Sequence, residues 1–274
     1  MMGLSPPFLL ARITMTDISR SQAWLESLRP KTLPLAFAAI IVGTVLAREQ
    51  GHFDPRVALL ALITAGLLQI LSNLANDYGD AVKGAINRIA SGRCAGCRRG
   101  DYPQQMKRAL IVTVVLICLF GLALLCAARQ SVGDFIGFLA PGGLSIVAAI
   151  TYTVGTRPYG YIGLGDISVL VFFGWLSVLG SWYLQAHNVE AAIFLPATAC
   201  GLLATAVLNI NNLRDIDSDR QNGKNTLAVR LGPVNARRYH ACLLLGALLC
   251  LALFNLLALH SARAGCLFSP RRCW

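Results

Sequence analysis

Residues 57–80, VALLALITAGLLQILSNLANDYGD, run apolar for several turns and then end in amides and carboxylates. On a helix Asn73, Asp77 and Asp80 fall at i, i+4 and i+7 and share one face. Residues 191–219, AAIFLPATACGLLATAVLNINNLRDIDSD, repeat the pattern: an apolar run closes with Asn211, Asp215 and Asp219 at i, i+4 and i+8. A carboxylate at a membrane boundary is costly unless it is paired, solvated or binding something. Two oxygen-rich faces, each ahead of a basic loop, suggest that both hold Mg²⁺ against a phosphorylated substrate.

Working outward, the chain is 55% hydrophobic and 14% charged, with mean hydropathy +0.59. Such a composition excludes an ordinary soluble domain and predicts an all-α, polytopic transmembrane bundle, a single domain over 1–274. Seven apolar runs are candidate spans: 33–47, 57–75, 109–128, 135–154, 162–186, 191–209 and 239–260. Pro141-Gly142-Gly143 predicts a kink in the fourth. Trp24 to Lys31 reads as an interfacial lead-in helix, and residues 1–14 as an extension ahead of a start at Met15.

The formal net charge of +11 invites a nucleic-acid partner, but the basic residues cluster in short loops, where membrane topology accounts for them. Lys83, Arg88, Arg93, Lys107 and their neighbours follow the second run, and Arg214, Arg220, Lys224 and Arg230 follow the sixth. Alternate loops are nearly free of lysine and arginine. The N-terminus, both acidic clusters and the Arg157 turn are therefore expected in the cytoplasm of a bacterial inner membrane. No nucleic acid and no obligate protein partner is implied. Of nine cysteines, Cys118, Cys126, Cys200, Cys242 and Cys250 lie inside apolar runs as small hydrophobes, and the lone pair Cys94 and Cys97 is weak support for a metal.

Two acidic helix ends can hold two or three Mg²⁺ ions around one diphosphate, stabilising charge on it as it leaves. Carboxylates alone repel that group, so Lys83, Arg157, Arg214 and Lys224 are candidates to touch it. An apolar bundle beneath suits a long hydrocarbon tail, and Tyr78, Tyr152, Tyr159 and Tyr161 can shelter an allylic cation. Singly, those tyrosines read more simply as interface-belt residues. Residues 215–219 imitate the start of a calcium loop, but Arg220 and Thr226 stand where Gly and Glu belong, which rejects that reading.

The stretches SLRPKTLPLAFAAIIVGT, LSNLANDYGDAVKG, ITYTVGTRPYGYIGLGDISVLVFFG and LNINNLRDIDSDRQNGKNTLAVRLG resemble the membrane-embedded aromatic prenyltransferases of the UbiA superfamily. The likeness covers roughly 17–84 and 104–260. It implies Mg²⁺-dependent transfer of a polyprenyl chain from polyprenyl diphosphate to an aromatic hydroxy acid. The expected acceptor is a dihydroxynaphthoate, giving demethylmenaquinone with loss of CO₂ and diphosphate. By resemblance, Asn73, Asp77, Asp80, Asp215 and Asp219 are ligands, Arg157 and Lys224 serve the diphosphate, and Asp166 lies near the aromatic acceptor. Asn211 shares its face with Asp215 and Asp219.

Two stretches depart from the family pattern. Residues 85–103 lose a further acidic residue, and 261–274 end the chain where about two more helices, nine in all, are expected. Both are rich in Arg and Cys, as an out-of-frame reading is, and Arg263, Arg271 and Arg272 would lie outside against the charge rule. The chain as written is therefore expected to insert but to turn over poorly or not at all. The alternatives are a 4-hydroxybenzoate prenyltransferase and, in a different class, a secondary transporter. Transporter sites, however, lie near the bilayer midplane.

Overall fold

A computed structural model describes residues 20–82, 102–128, 131–156 and 158–268. Among them seven helices are long and apolar enough to cross a bilayer, as the apolar runs predict. Helix α1, Arg20–Leu28, leads through a 3₁₀ turn, Pro30–Thr32, into α2, Leu33–Glu49. Together they make one long segment, Trp24–Glu49, so the first span is not short. Next come α3, Pro55–Val82, α4, Tyr102–Ala128, and α5, Val132–Thr151. A 3₁₀ turn, Tyr159–Ile162, precedes α6, Gly165–Ala186, whose stretch Leu170–Leu179 is wound as a π-helix. Helix α7, Phe194–Arg214, the short α8, Ile216–Gln221, and α9, Leu227–Phe268, complete the order.

Between helices in lipid there is little hydrophobic drive, so close approach of small side chains decides the packing. Ala39, Gly43 and Ala47 of α2 lie one turn apart and meet Val178 and Trp182 of α6. A Cβ on Gly43 would sit 2.1 Å from Ser181 Oγ and 2.3 Å from Val178 O, so only glycine fits. Gly174 and Gly201 do the same for α6 against α7: a Cβ on Gly174 would lie 2.7 Å from Ala197 O. Ile40, Val57, Ala61 and Leu124 join α2, α3 and α4. Leu245, Leu248 and Leu249 of α9 face outward, as a lipid-facing side should.

Helix α5 stays helical through Pro141, where the kink is expected, because a proline removes one N–H and need not unwind a helix within an apolar solvent. Non-helical backbone lies at Gly232 (φ 74, ψ 165), just before Pro233, where glycine takes a positive φ. The second acidic run is not one continuous helix face either. Helix α7 stops at Arg214, and Asp215 (φ −99, ψ 12) is the joint to α8.

Candidate active site

The C-terminal end of α3 and the α7–α8 joint meet over one cavity of about 2010 Å³, walled by α2 to α7. Its upper wall is polar: Asn73, Asn76 and Asp77 on one side, Asn211, Asp215, Ser218, Asp219 and Lys224 on the other. Below, Phe138, Phe172, Phe173 and Leu176 make it apolar. Phe138 comes from α5 and the other three from the π-wound stretch of α6, and such local widening of a helix is frequent at functional sites.

Asp77, Asp215 and Asp219 at the rim each stand beside a cation. Arg29 Nη2 lies 2.6 Å from Asp77 Oδ1, reaching across from the elbow between α1 and α2. The elbow holds Arg29 in the left-handed region (φ 48, ψ 61), an uncommon and strained place for a residue with a Cβ. Asn73 secures it by donating to Leu28 O at 2.9 Å and Thr32 Oγ1 at 3.0 Å. Arg214 donates to both oxygens of Asp215, at 3.1 and 2.9 Å, in a forked contact. Asp219 is 1% exposed and has Lys224 Nζ at 3.7 Å, while that ammonium also stands 5.8 Å from the centre of the Tyr161 ring.

The loop after α5 closes over this rim. The Thr153 hydroxyl donates to Asn76 Oδ1, and Gly79 comes so near that a Cβ there would lie 2.8 Å from Thr153 O. Asn225 N donates to Tyr161 O at 3.0 Å, and Arg230 donates to Ile162 O at 2.7 Å, joining the loop to the α8–α9 connection. Tyr152 and Tyr159 both border the cavity and stand edge to face, 5.3 Å apart. Burial pushes both phenols above their ordinary value; for Tyr152 the neighbouring Tyr159, Asp166 and Asp219 add to the rise. Both are therefore neutral hydroxyls, and that of Tyr159 donates to Ala148 O at 2.8 Å.

Of the residues singled out in the sequence, Asn73, Asp77, Asn211, Arg214, Asp215, Asp219 and Lys224 border the one cavity. The Asp80 side chain, Lys83 and Arg157 lie outside the described residues, as do 1–14, 85–101 and 269–274. Asp166 does not border the cavity. It is buried behind the wall, where its Oδ1 accepts from the Tyr239 hydroxyl of α9 at 3.2 Å and its backbone carbonyl accepts from Thr205 at 3.3 Å. Tyr78 packs with Leu74 and Met106 instead of facing the cavity. The residue that helical spacing did not reveal is Arg29. Its signal was the Arg-Pro pair in SLRPKT, which marks an elbow, but the partner lies 48 residues away.

Among the described residues no three His, Cys, Asp or Glu side chains converge as a ready-made metal site. The donors at the rim are carboxylates and amides, a hard oxygen set, and the cations alternate with them. That pattern fits Mg²⁺ whose coordination is completed by phosphate oxygens and water, as Mg²⁺ commonly is.

A sequence profile of the UbiA prenyltransferase family matches residues 36–269. The chain is similar to a protein of Escherichia coli (strain K12) named 1,4-dihydroxy-2-naphthoate octaprenyltransferase. The two are 77% identical over 250 residues, covering 91% of this chain and 81% of that protein. A Haemophilus influenzae protein of the same name is 52% identical over 84% of this chain and 76% of its own length. A mouse protein named UbiA prenyltransferase domain-containing protein 1 is 30% identical over 87% of this chain and 69% of its own.

Proposed function

The chain belongs to the UbiA prenyltransferase family, a multi-pass membrane enzyme, and from that premise we propose that its acceptor is 1,4-dihydroxy-2-naphthoate. The donor is polyprenyl diphosphate, and diphosphate and CO₂ are released as demethylmenaquinone is made. The relatives' name supports the acceptor. The observation that carries the chemistry is the meeting of two acid-bearing helix ends over one large, apolar cavity. Family membership removes the transporter alternative, and 4-hydroxybenzoate is the competing acceptor. The enzyme is assigned to a bacterial inner membrane with the acidic ends cytoplasmic, on the strength of the loop charges.

Asp77, Asp215 and Asp219, with Asp80, would hold Mg²⁺, which when bound supplies positive charge against the leaving diphosphate. Arg29, Arg214 and Lys224 stand at those carboxylates and can turn to phosphoryl oxygens, where charge-assisted hydrogen bonds are strongest. Lys83 and Arg157 join them by resemblance. Phe138, Phe172, Phe173 and Leu176 give the prenyl chain an apolar bed and keep water from the allylic cation. The faces of Tyr152 and Tyr159 border that cation's path, and as neutral phenols they cannot quench it as phenolates would. Asp166 serves through α9, anchoring Tyr239 rather than touching substrate.

Membranes carrying the chain, given octaprenyl diphosphate and 1,4-dihydroxy-2-naphthoate, are expected to form the prenylated product only with Mg²⁺ present. An equal amount of 4-hydroxybenzoate is expected not to compete. Preference for 4-hydroxybenzoate reverses the acceptor assignment, and movement of substrate across vesicles without any covalent product overturns the reading.

A further inference from the structure

Arg29 differs from Arg214 and Lys224 in where it comes from. Arg214 neighbours its carboxylate in sequence, and Lys224 sits in the turn after Asp219, its N–H bonded to Asp219 O at 2.8 Å. Arg29 arrives from the elbow ahead of α2 and crosses to α3, 48 residues on. Asn73 and Asp77 stand one turn apart on one face of α3 and divide that elbow between them. Asn73 donates to Leu28 O and Thr32 Oγ1, and Thr32 in turn donates to Arg29 O at 2.9 Å. Asp77 takes the guanidinium, Nη2 to Oδ1 at 2.6 Å. With the backbone held in this way, less freedom is lost when the pair forms than for two loose surface chains.

Asp77 is also a carboxylate assigned above to Mg²⁺. A guanidinium at 2.6 Å fills a lone-pair position that a metal would use, and its charge repels a divalent cation so close by. The pair is nonetheless poised to part. Both partners border the cavity, and the Arg29 side chain is 41% exposed at its mouth. A diphosphate offers more negative charge than one carboxylate, and room for the two-point contact in which arginine binds most strongly.

We propose that Arg29 is a stand-in cation, which holds Asp77 until diphosphate draws it away and so frees Asp77 for Mg²⁺. The inference rests on the Mg²⁺-diphosphate reading of the same cavity. No covalent bond changes in the exchange: a carboxylate–guanidinium pair is replaced by a guanidinium–phosphate pair and a carboxylate–metal contact. The consequence is an order of binding, in which metal enters with or after diphosphate and only weakly before it. By linkage, metal and diphosphate then raise each other's affinity by the same factor.

The test is metal binding alone, which needs no turnover. Mn²⁺, which shares the preference of Mg²⁺ for oxygen ligands, is titrated into the purified, detergent-solubilised chain. The free ion is counted by electron paramagnetic resonance, with and without octaprenyl diphosphate. The unaltered protein is expected to bind the ion about tenfold more tightly once diphosphate is present. Arg29→Gln is expected to bind the ion alone about tenfold more tightly than the unaltered protein does, so that the help from diphosphate shrinks. A damaged fold does not produce such a gain. Lys31→Gln removes an exposed cation from the same mouth and should shift the metal-alone affinity less than about twofold. Adding Asp77→Asn to Arg29→Gln should abolish the gain. Arg29→Asn, a residue that tolerates the left-handed backbone, repeats the result if the glutamine variant fails to insert. The proposal is overturned if neither Arg29 variant gains, if Lys31→Gln gains as much, or if the gain survives Asp77→Asn. An unaltered protein that takes up the ion equally well with and without diphosphate overturns it too. If the unaltered protein takes up no ion even with octaprenyl diphosphate, the Mg²⁺-diphosphate reading fails and this one with it. Uptake with diphosphate, but no gain in the Arg29 variants, sinks this inference alone.

Discussion

The two acidic helix ends carry the same residue pattern and are held in different ways. Asp77 lies within an unbroken helix and is steadied from outside, by an elbow that brings Arg29 to it and that Asn73 pins in place. Asp215 and Asp219 lie on a break, and the chain just beyond folds back to supply Lys224. The Asp77 side chain is 15% exposed and the Asp219 side chain 1%. A paired charge near solvent can exchange its partner cheaply, whereas a buried one depends on the partner it has. The first end is thus suited to release Arg29 when a ligand arrives, and the second to keep its shape.

Removing a carboxylate from either end is expected to break the comparison most strongly. Asp77→Ala or Asp215→Ala should lower Mg²⁺-dependent turnover about a hundredfold or more, the scale of losing a transition-state electrostatic contact, while membrane insertion is unchanged. Near-parental turnover at limiting Mg²⁺ in either variant contradicts a shared site.

Next in size are the cations, where the two ends should diverge. Lys224→Met removes the ammonium 3.7 Å from the buried Asp219 carboxylate, and should both slow turnover about tenfold and lower thermal stability in detergent. Arg214→Met removes an exposed partner, 63% accessible, and should cost under about 1 kcal/mol of stability. Equal stability losses would erase the distinction between a buried and an exposed pair.

Asn73→Leu should loosen the elbow, at about 1–3 kcal/mol for carbonyl and amide groups left unpaired. Thermal denaturation of the variant, with Arg29→Lys as a companion that keeps the charge but not the guanidinium, measures it. A neutral Asn73→Leu would mean that Pro30, the Thr32–Arg29 bond and the Arg29–Asp77 pair hold the elbow without Asn73.

The smallest effect is on pH dependence. Burial raises the Tyr152 phenol, so the folded chain keeps a proton that an unfolded chain releases near pH 10. The associated stability is complete below about pH 10 and is lost as the pH rises beyond it. Tyr152→Phe should therefore flatten the alkaline decline in thermal stability, and an unchanged decline would assign it to other groups.

How much of this could be read in the chain differs by feature. The spans were legible because the bilayer demands length and apolarity, which Val57 to Ala75 and Ala109 to Ala128 supply without tertiary help. The acids were legible because helical spacing places Asp77 above Asn73 whatever surrounds them. Arg29 was not, since its role depends on a positive φ and on a partner far along the chain. Nor was the direction of Asp166: its helix turn is fixed by the neighbouring α7 and α9, and only packing sends the carboxylate to Tyr239. The π-wound stretch of α6 is apolar on every side, so its periodicity had nothing to show.

The central claim is that both acidic ends hold one diphosphate together. The direct measurement is a double-substitution cycle on Mg²⁺-dependent binding of octaprenyl diphosphate, with Asp77→Asn, Asp215→Asn and the pair combined. Groups that act as a unit are not additive. Each single variant is predicted to lose most of the affinity, and the combined variant to be little worse than either. Independent, additive losses would place the two ends at separate sites and contradict the claim.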